Sequence, residues 1–170
     1  MTLAPMMEVA MPETSLDIAP KSGWLPRLAA LLLWGIGLFE RIPYWLVALT
    51  ARLALAQVFW SSAQTHLANW DTTLALFSDQ YQVPLLPPDL AADLAVTMEV
   101  LTPPLLLLGL ATRFAALGLF GMTLVIEIFV YPAAWPTHIQ WAAMILLLMA
   151  RGGGVLSLDA LIRARFGGRR

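Results

Sequence analysis

Among the ionisable side chains inside long apolar stretches of the sequence, three stand out: Arg52, Glu99 and Glu127. In hydrocarbon such groups are costly, by about 2.5–3.5 kcal/mol at a helix centre, so they mark places where a proton, an ion or a ligand is handled. Glu99 is the sharpest of the three. It falls in mid-stretch, too deep for its short side chain to reach water, and Pro103 and Pro104 follow it. Two helical prolines remove the amide donors for the carbonyls of Glu99 and Val100, so a helix kink would set spare acceptors beside a carboxyl group. That combination suits a proton relay, a cation or a ligand with a hydroxyl to donate. The structural alternative is a protonated glutamic acid that ties helices together by hydrogen bonds. Glu127, with Thr123 one turn before it, sits near the end of its stretch, where a carboxylate also reaches water. Arg52 has two readings open. It is either a membrane anchor whose long stem carries its head back to the interface, or the cation of an ion pair with a carboxylate on a neighbouring helix.

Uncharged polar residues extend this set. Gln57, Ser61 and Gln64 recur at i, i+4 and i+7 and share one helical face, and Gln140 falls at a similar depth on a later stretch. The candidate site is therefore an intramembrane polar pocket of Gln57, Ser61, Gln64, Glu99, Glu127 and Gln140, with separate interhelical hydrogen bonds as the plainer reading. No catalytic constellation is legible. His66 and His138 lack the one-turn spacing of a metal-binding pair and read as interfacial histidines, so no metal site is expected. Met98, Met122, Met144 and Met149 read as packing residues rather than as thioether ligands. Gly152-Gly153-Gly154 has no strand before it and no Lys-Ser/Thr after it, which makes it a helix stop rather than a phosphate loop. The chain holds no Cys, so disulfides, thiolate metal sites and dithiol relays of its own are excluded.

The elements that must position these residues follow from composition. Of 170 residues, 59% are hydrophobic and 12% charged, against about half and a quarter in soluble domains, which points to an integral membrane protein. A net charge of −1 gives no pull toward nucleic acid. Four stretches are long and apolar enough to span: about Tyr44 to Ser62, Leu90 to Leu110, Phe114 to Tyr131 and Trp135 to Ala150. They are continuous runs, unlike the alternating segments of a porin-like barrel. The expected fold is an all-α four-helix transmembrane bundle over residues 44–162, with a basic tail at 163–170. Residues 1–23 carry three prolines and three carboxylates and no basic leader, and are expected to be a disordered tail rather than a signal peptide. Residues 24–43 are expected to form an interfacial amphipathic helix, because the apolar run after Arg27 is too short to span; a fifth span is the rival reading.

Charge placement sets the expected orientation. Lys21, Arg27 and Arg41 precede the first span, Arg113 lies between the second and third, and Arg151, Arg163, Arg165, Arg169 and Arg170 follow the fourth. The segment after the first span carries Asp71, Asp79 and Asp89 with no Lys or Arg. Basic loops stay on the cytoplasmic side, so both termini are expected there. Thr50-Ala51-Arg52 and Ala111-Thr112-Arg113 open two spans of the same direction, a faint echo of a duplicated hairpin.

Five stretches carry a family resemblance: Ala-Gln-Val-Phe-Trp-Ser-Ser-Ala-Gln-Thr (56–65), Tyr-Gln-Val-Pro-Leu-Leu-Pro-Pro (81–88), Leu-Gly-Leu-Ala-Thr-Arg-Phe-Ala-Ala-Leu (108–117), Met-Thr-Leu-Val-Ile-Glu-Ile-Phe-Val-Tyr-Pro (122–132) and Ala-Arg-Gly-Gly-Gly-Val-Leu-Ser-Leu-Asp (150–159). As a set they resemble the DoxX family of small four-helix bacterial membrane proteins, over about Tyr44 to Ile162. The chain departs from that pattern at Glu127, His66 and Gly153, where relatives often carry Gln, Lys and Pro. The resemblance implies a multi-pass protein of the bacterial cytoplasmic (inner) membrane. It also implies a role beside redox or stress-response proteins, since the family name derives from a subunit associated with a thiosulfate:quinone oxidoreductase. The leading expectation is a non-catalytic membrane subunit or scaffold of such an assembly that contacts quinone, holds no cofactor of its own and works with a protein partner or as a homo-oligomer. The alternatives are a small proton- or cation-coupled transporter, and a membrane cargo or assembly factor that recognises its partner through the loop from Ala63 to Pro88.

Overall fold

The computed structural model of the chain describes residues 24–167, and among these residues every regular element is helical. The expected disordered tail at 1–23 and the last three residues of the basic tail lie outside the described residues. The helices are α1 (Trp24–Phe39), α2 (Tyr44–Ala68), α3 (Trp70–Leu76), α4 (Pro88–Leu108), α5 (Thr112–Val125), α6 (Trp135–Arg151) and α7 (Leu158–Phe166). Four are long and apolar enough to cross a membrane: α2, α4, α5 with the turn that prolongs it to Val130, and α6 with the turn that precedes it from Pro132. The chain is thus an all-α membrane bundle, as its composition requires.

The chain divides into two units, residues 1–41 and residues 42–170. In the first, α1 is a single helix of 16 residues. At 1.5 Å per residue it is roughly 24 Å long, short of a hydrocarbon core of about 30 Å.

In the second unit the spans close a ring, α2 against α4, α4 against α5, α5 against α6 and α6 back against α2. Small residues make the close approaches. Ala48, Ala51, Ala56, Ala63, Ala92, Ala115 and Ala116 are all buried at the seams, which is how helices gain van der Waals contact where lipid removes the hydrophobic drive. Leu55, Phe59, Leu106, Leu119, Ile145 and Leu148 fill the middle. Helix α4 runs unbroken through the buried Pro103 and the exposed Pro104, and the Thr102 hydroxyl donates to the Met98 carbonyl at 2.7 Å within the same turns.

One end of the ring, the arginine end, is tied by polar groups. Helix α4 stops at Gly109 (φ +65°), where the Leu110 amide donates to the Leu105 carbonyl and the Gly109 amide to that of Leu106. This Schellman closure needs a residue without Cβ, and one placed on Gly109 would collide with the Arg52 guanidinium and Ser157. Ala111 follows with φ +49°, a strained value for a residue with a side chain. It is held there by Asp159, whose carboxylate accepts from the Ala111 and Thr112 amides at 2.7 and 2.8 Å and so caps α5. The basic tail expected from residue 163 is in part helix: Arg163 and Arg165 belong to α7, which Ser157 caps through the Ala160 amide.

The opposite end, the histidine end, differs from the expected open loop between Ala63 and Pro88. Helix α2 continues to Ala68, and Asn69 starts α3 by accepting from the Thr72 amide at 3.0 Å. Helix α3 then ends in a π-helical turn, Phe77–Tyr81, and α5 ends in a second one, Ile126–Val130. These two turns pack on each other. Single π turns recur at functional sites because the extra residue re-aims side chains.

Candidate functional site

At the histidine end the ring frames a cavity of about 560 Å³ that opens to the surface past the exposed Leu86 and Leu94. Its walls come from all four spans: Phe59, Ser62 and His66 of α2, Ala95, Met98 and Glu99 of α4, Gly118, Gly121 and Met122 of α5, and His138 and Trp141 of α6. Phe77 and Tyr81 of the first π turn, with Tyr131 after the second, complete the lining. The wall is almost wholly apolar and aromatic, with a few polar groups at defined points, as in a small-molecule site.

Glu99 is one of those points, and its side chain is 3% exposed. Its two oxygens have separate partners on one face of α2. The Ser62 hydroxyl donates to Oε1 at 2.8 Å, and Nδ1 of His66 lies 2.8 Å from Oε2. Ser62 and His66 are one turn apart, so a single helix face presents both groups to one carboxyl. With Nδ1 engaged, Nε2 of the same ring is left for a ligand, and it makes no hydrogen bond among the described residues. The ring edge of Phe77 backs His66 at 6.1 Å, and the Thr73 hydroxyl holds the His66 carbonyl at 2.8 Å.

A second pair stands on the other side. Nδ1 of His138 lies 2.6 Å from Oε2 of Glu127, and the His138 ring packs on Trp141 at 5.0 Å, which packs on Phe59 at 5.6 Å. The π turn places Glu127 here, behind His138 and off the cavity wall. Aromatic edges link Phe77 to Tyr81 at 4.9 Å and Tyr81 to Tyr131 at 5.6 Å, so an aromatic chain runs across the cavity from His66. Burial, then the contact with Tyr131, pushes the Tyr81 phenol well above the usual tyrosine range, so it stays a hydrogen-bond donor. Among the described residues no three of His, Asp and Glu come together, so the two pairs are separate.

Of the six residues read from sequence as one polar pocket, only Glu99 lines the cavity. Glu127 reaches it through His138. Gln57, Ser61 and Gln64 share a face as expected, but that face is exposed, and Gln57 donates to Ser61 at 3.1 Å. Gln140 is exposed too and donates to the Pro136 carbonyl of its own helix at 2.8 Å. The inward face of α2 is the neighbouring stripe of Leu55, Phe59, Ser62, Ala63 and His66. The two histidines, set aside from sequence as interfacial, are the partners of both carboxylates.

Arg52 fits neither of its sequence readings. It is 1% exposed, so its head does not reach the interface, and no carboxylate among the described residues lies within ion-pair distance. Its guanidinium instead donates to the carbonyls of Leu106, Leu107, Gly153 and Leu156, at 2.5, 2.6, 3.1 and 2.7 Å. A planar fork with five donors serves the carbonyls where α4 ends and in the turn after α6, that of Leu106 alongside the Gly109 amide. Arg113, its counterpart in the sequence echo, is exposed and donates to the Ala150 carbonyl at 3.1 Å, so the two arginines do different work.

Ring, spans and cavity define a four-span helical membrane protein with an apolar chamber and two largely buried histidine–carboxylate pairs. The chain belongs to the DoxX family, whose model matches residues 47–132. That segment holds Ser62, His66, Glu99 and Glu127 and stops short of His138. An uncharacterized protein of Haemophilus influenzae is 29% identical over 119 aligned residues, covering 61% of this chain and 77% of the relative. No solved structure matches the chain.

Proposed function

We propose that this protein is the membrane subunit of a redox or stress-response assembly, and that its chamber takes a quinone-class ligand. The observation that carries the reading is the buried Glu99–His66–Ser62 cluster on the wall of an apolar, aromatic chamber of about 560 Å³. A quinol ring suits such walls, and its hydroxyl needs an acceptor that can take a proton among apolar side chains. His66 Nε2 is that acceptor, and the carboxyl behind Nδ1 fixes the ring and balances the charge that arrives. His138 with Glu127 offers the same arrangement to a second oxygen. The chain has no Cys, so its own residues hold and move protons while electrons leave through a protein partner.

Arginines at the end opposite the histidines support a cytoplasmic location for both termini, and the length of α1 supports its lying along the membrane surface. The bacterial inner membrane is the location that fits this arrangement.

The test is purification of the full chain in mild detergent, with mass spectrometry of the lipophilic molecules and proteins that accompany it. Wild type is expected to retain a quinone near one per chain, and His66→Gln to lose it while remaining folded. Retention of no quinone by wild type, or equal retention by His66→Gln, overturns the reading.

A further inference from the structure

A second cavity lies at the arginine end, about 330 Å³ in volume, between the start of α2, the end of α6 and α7. Tyr44, Trp45, Arg151, Gly154, Val155, Ala160 and Arg163 line it, and neither the chamber nor its two histidine pairs contribute. Two guanidinium groups face one small space, and no carboxylate among the described residues lies within ion-pair distance of either. Asp159, next in chain to Ala160, is engaged by the Ala111 and Thr112 amides. Arg151 is fixed in place, its guanidinium 4.8 Å from the centre of the Tyr44 ring, while the Tyr44 hydroxyl donates to the Gly152 carbonyl at 2.7 Å. The glycine turn brings the floor close: Gly154 adopts φ +77°, and a Cβ there would press on the Trp45 backbone.

We propose that this cavity is a binding site for the headgroup of an anionic phospholipid. Charge selects the ligand class, since paired arginines hold a phosphodiester by hydrogen-bonded ion pairs. The surroundings select the lipid over a free anion. The site sits where spans begin and end, with Tyr44 and Trp45 at the level aromatic side chains occupy at a membrane interface. Val155 in its wall stands 71% exposed, and Leu161 and Phe166 elsewhere on α7 stand 64% and 80% exposed, large apolar surfaces that acyl chains would cover. Helix α7 thus rests on the leaflet with a lipid held between it and the ring, and basic pockets between spans are a general means of binding such headgroups.

Native mass spectrometry of the full chain released from micelles tests this, with phosphatidylglycerol and phosphatidylcholine offered in equal amounts. Wild type is expected to keep one phosphatidylglycerol in preference to phosphatidylcholine by about tenfold or more. Arg151→Gln with Arg163→Gln abolishes that preference, and Arg163→Gln alone, on the exposed α7, weakens it without loss of fold. Arg165→Gln, outside the cavity, leaves it intact. Inorganic phosphate at the same concentration does not displace the lipid. Equal retention of both lipids by wild type, an unchanged preference in Arg163→Gln, an equal loss in Arg165→Gln, or displacement by phosphate each overturns the proposal.

Discussion

Glu99 is met by two side chains of α2, the Ser62 hydroxyl and Nδ1 of His66, and its replacements separate structure from chemistry. Glu99→Gln keeps an acceptor for Ser62 and is expected to fold as wild type while losing proton exchange with a bound ligand. Glu99→Leu leaves Ser62 and His66 without their partner and is expected to lose about 1–2 kcal/mol, read as a lower unfolding temperature in detergent. Arg52 carries more. Arg52→Leu strands the carbonyls of Leu107, Gly153 and Leu156, leaves that of Leu106 only the Gly109 amide, and is expected to lose about 3–5 kcal/mol, with Arg52→Lys a poor rescue because a single ammonium cannot serve all four. Tyr81 adds a pH dependence. Its folded pKa lies above the unfolded value of about 10, so its contribution is complete below that pH and is lost as pH climbs toward the folded value. Alkaline melting curves are expected to show this loss in wild type and not in Tyr81→Phe. At this scale Glu99 was legible, because a deep carboxyl is expensive and must be satisfied. His66 and His138 were not, since histidines near span ends are common and only packing reveals their partners. The Gln57, Ser61 and Gln64 stripe misled because apolar residues surround α2, so polarity does not tell its inner face from its outer one.

The spans were legible as elements because length and hydropathy alone decide them, and boundaries shifted by a few residues except on α2. Short pieces were hidden. Helix α7 and the two π turns make contacts between distant segments, such as Asp159 capping α5 and the first π turn packing on the second. Asp159→Ala is expected to free the Ala111 and Thr112 amides and lose about 1–2 kcal/mol, measured as thermal stability in detergent. Helix α5 offers a cleaner probe of the chamber. A Cβ on Gly121 meets nothing within 4 Å, whereas one on Gly118 would run into Met98. Gly121→Leu is therefore expected to fill the chamber and block the ligand while keeping or raising stability, since leucine is the better helix former by about 1 kcal/mol.

For the whole molecule, the two ends of the ring are chemically different: histidine–carboxylate pairs and aromatic edges at one, arginines and capped helix termini at the other. Reporter fusions at Gln80 and at the C-terminus are expected to fall in opposite compartments, with the C-terminus cytoplasmic. The role of the chamber is tested most directly by a photoreactive benzoquinone, with the labelled residues mapped by mass spectrometry. Labelling is expected on chamber residues such as Met98, Met122 and Trp141, to be competed by unlabelled quinone, and to vanish in Gly121→Leu. Labelling of exposed residues such as Leu53, Leu101 and Leu117 alone, unchanged by competitor and by Gly121→Leu, would contradict it.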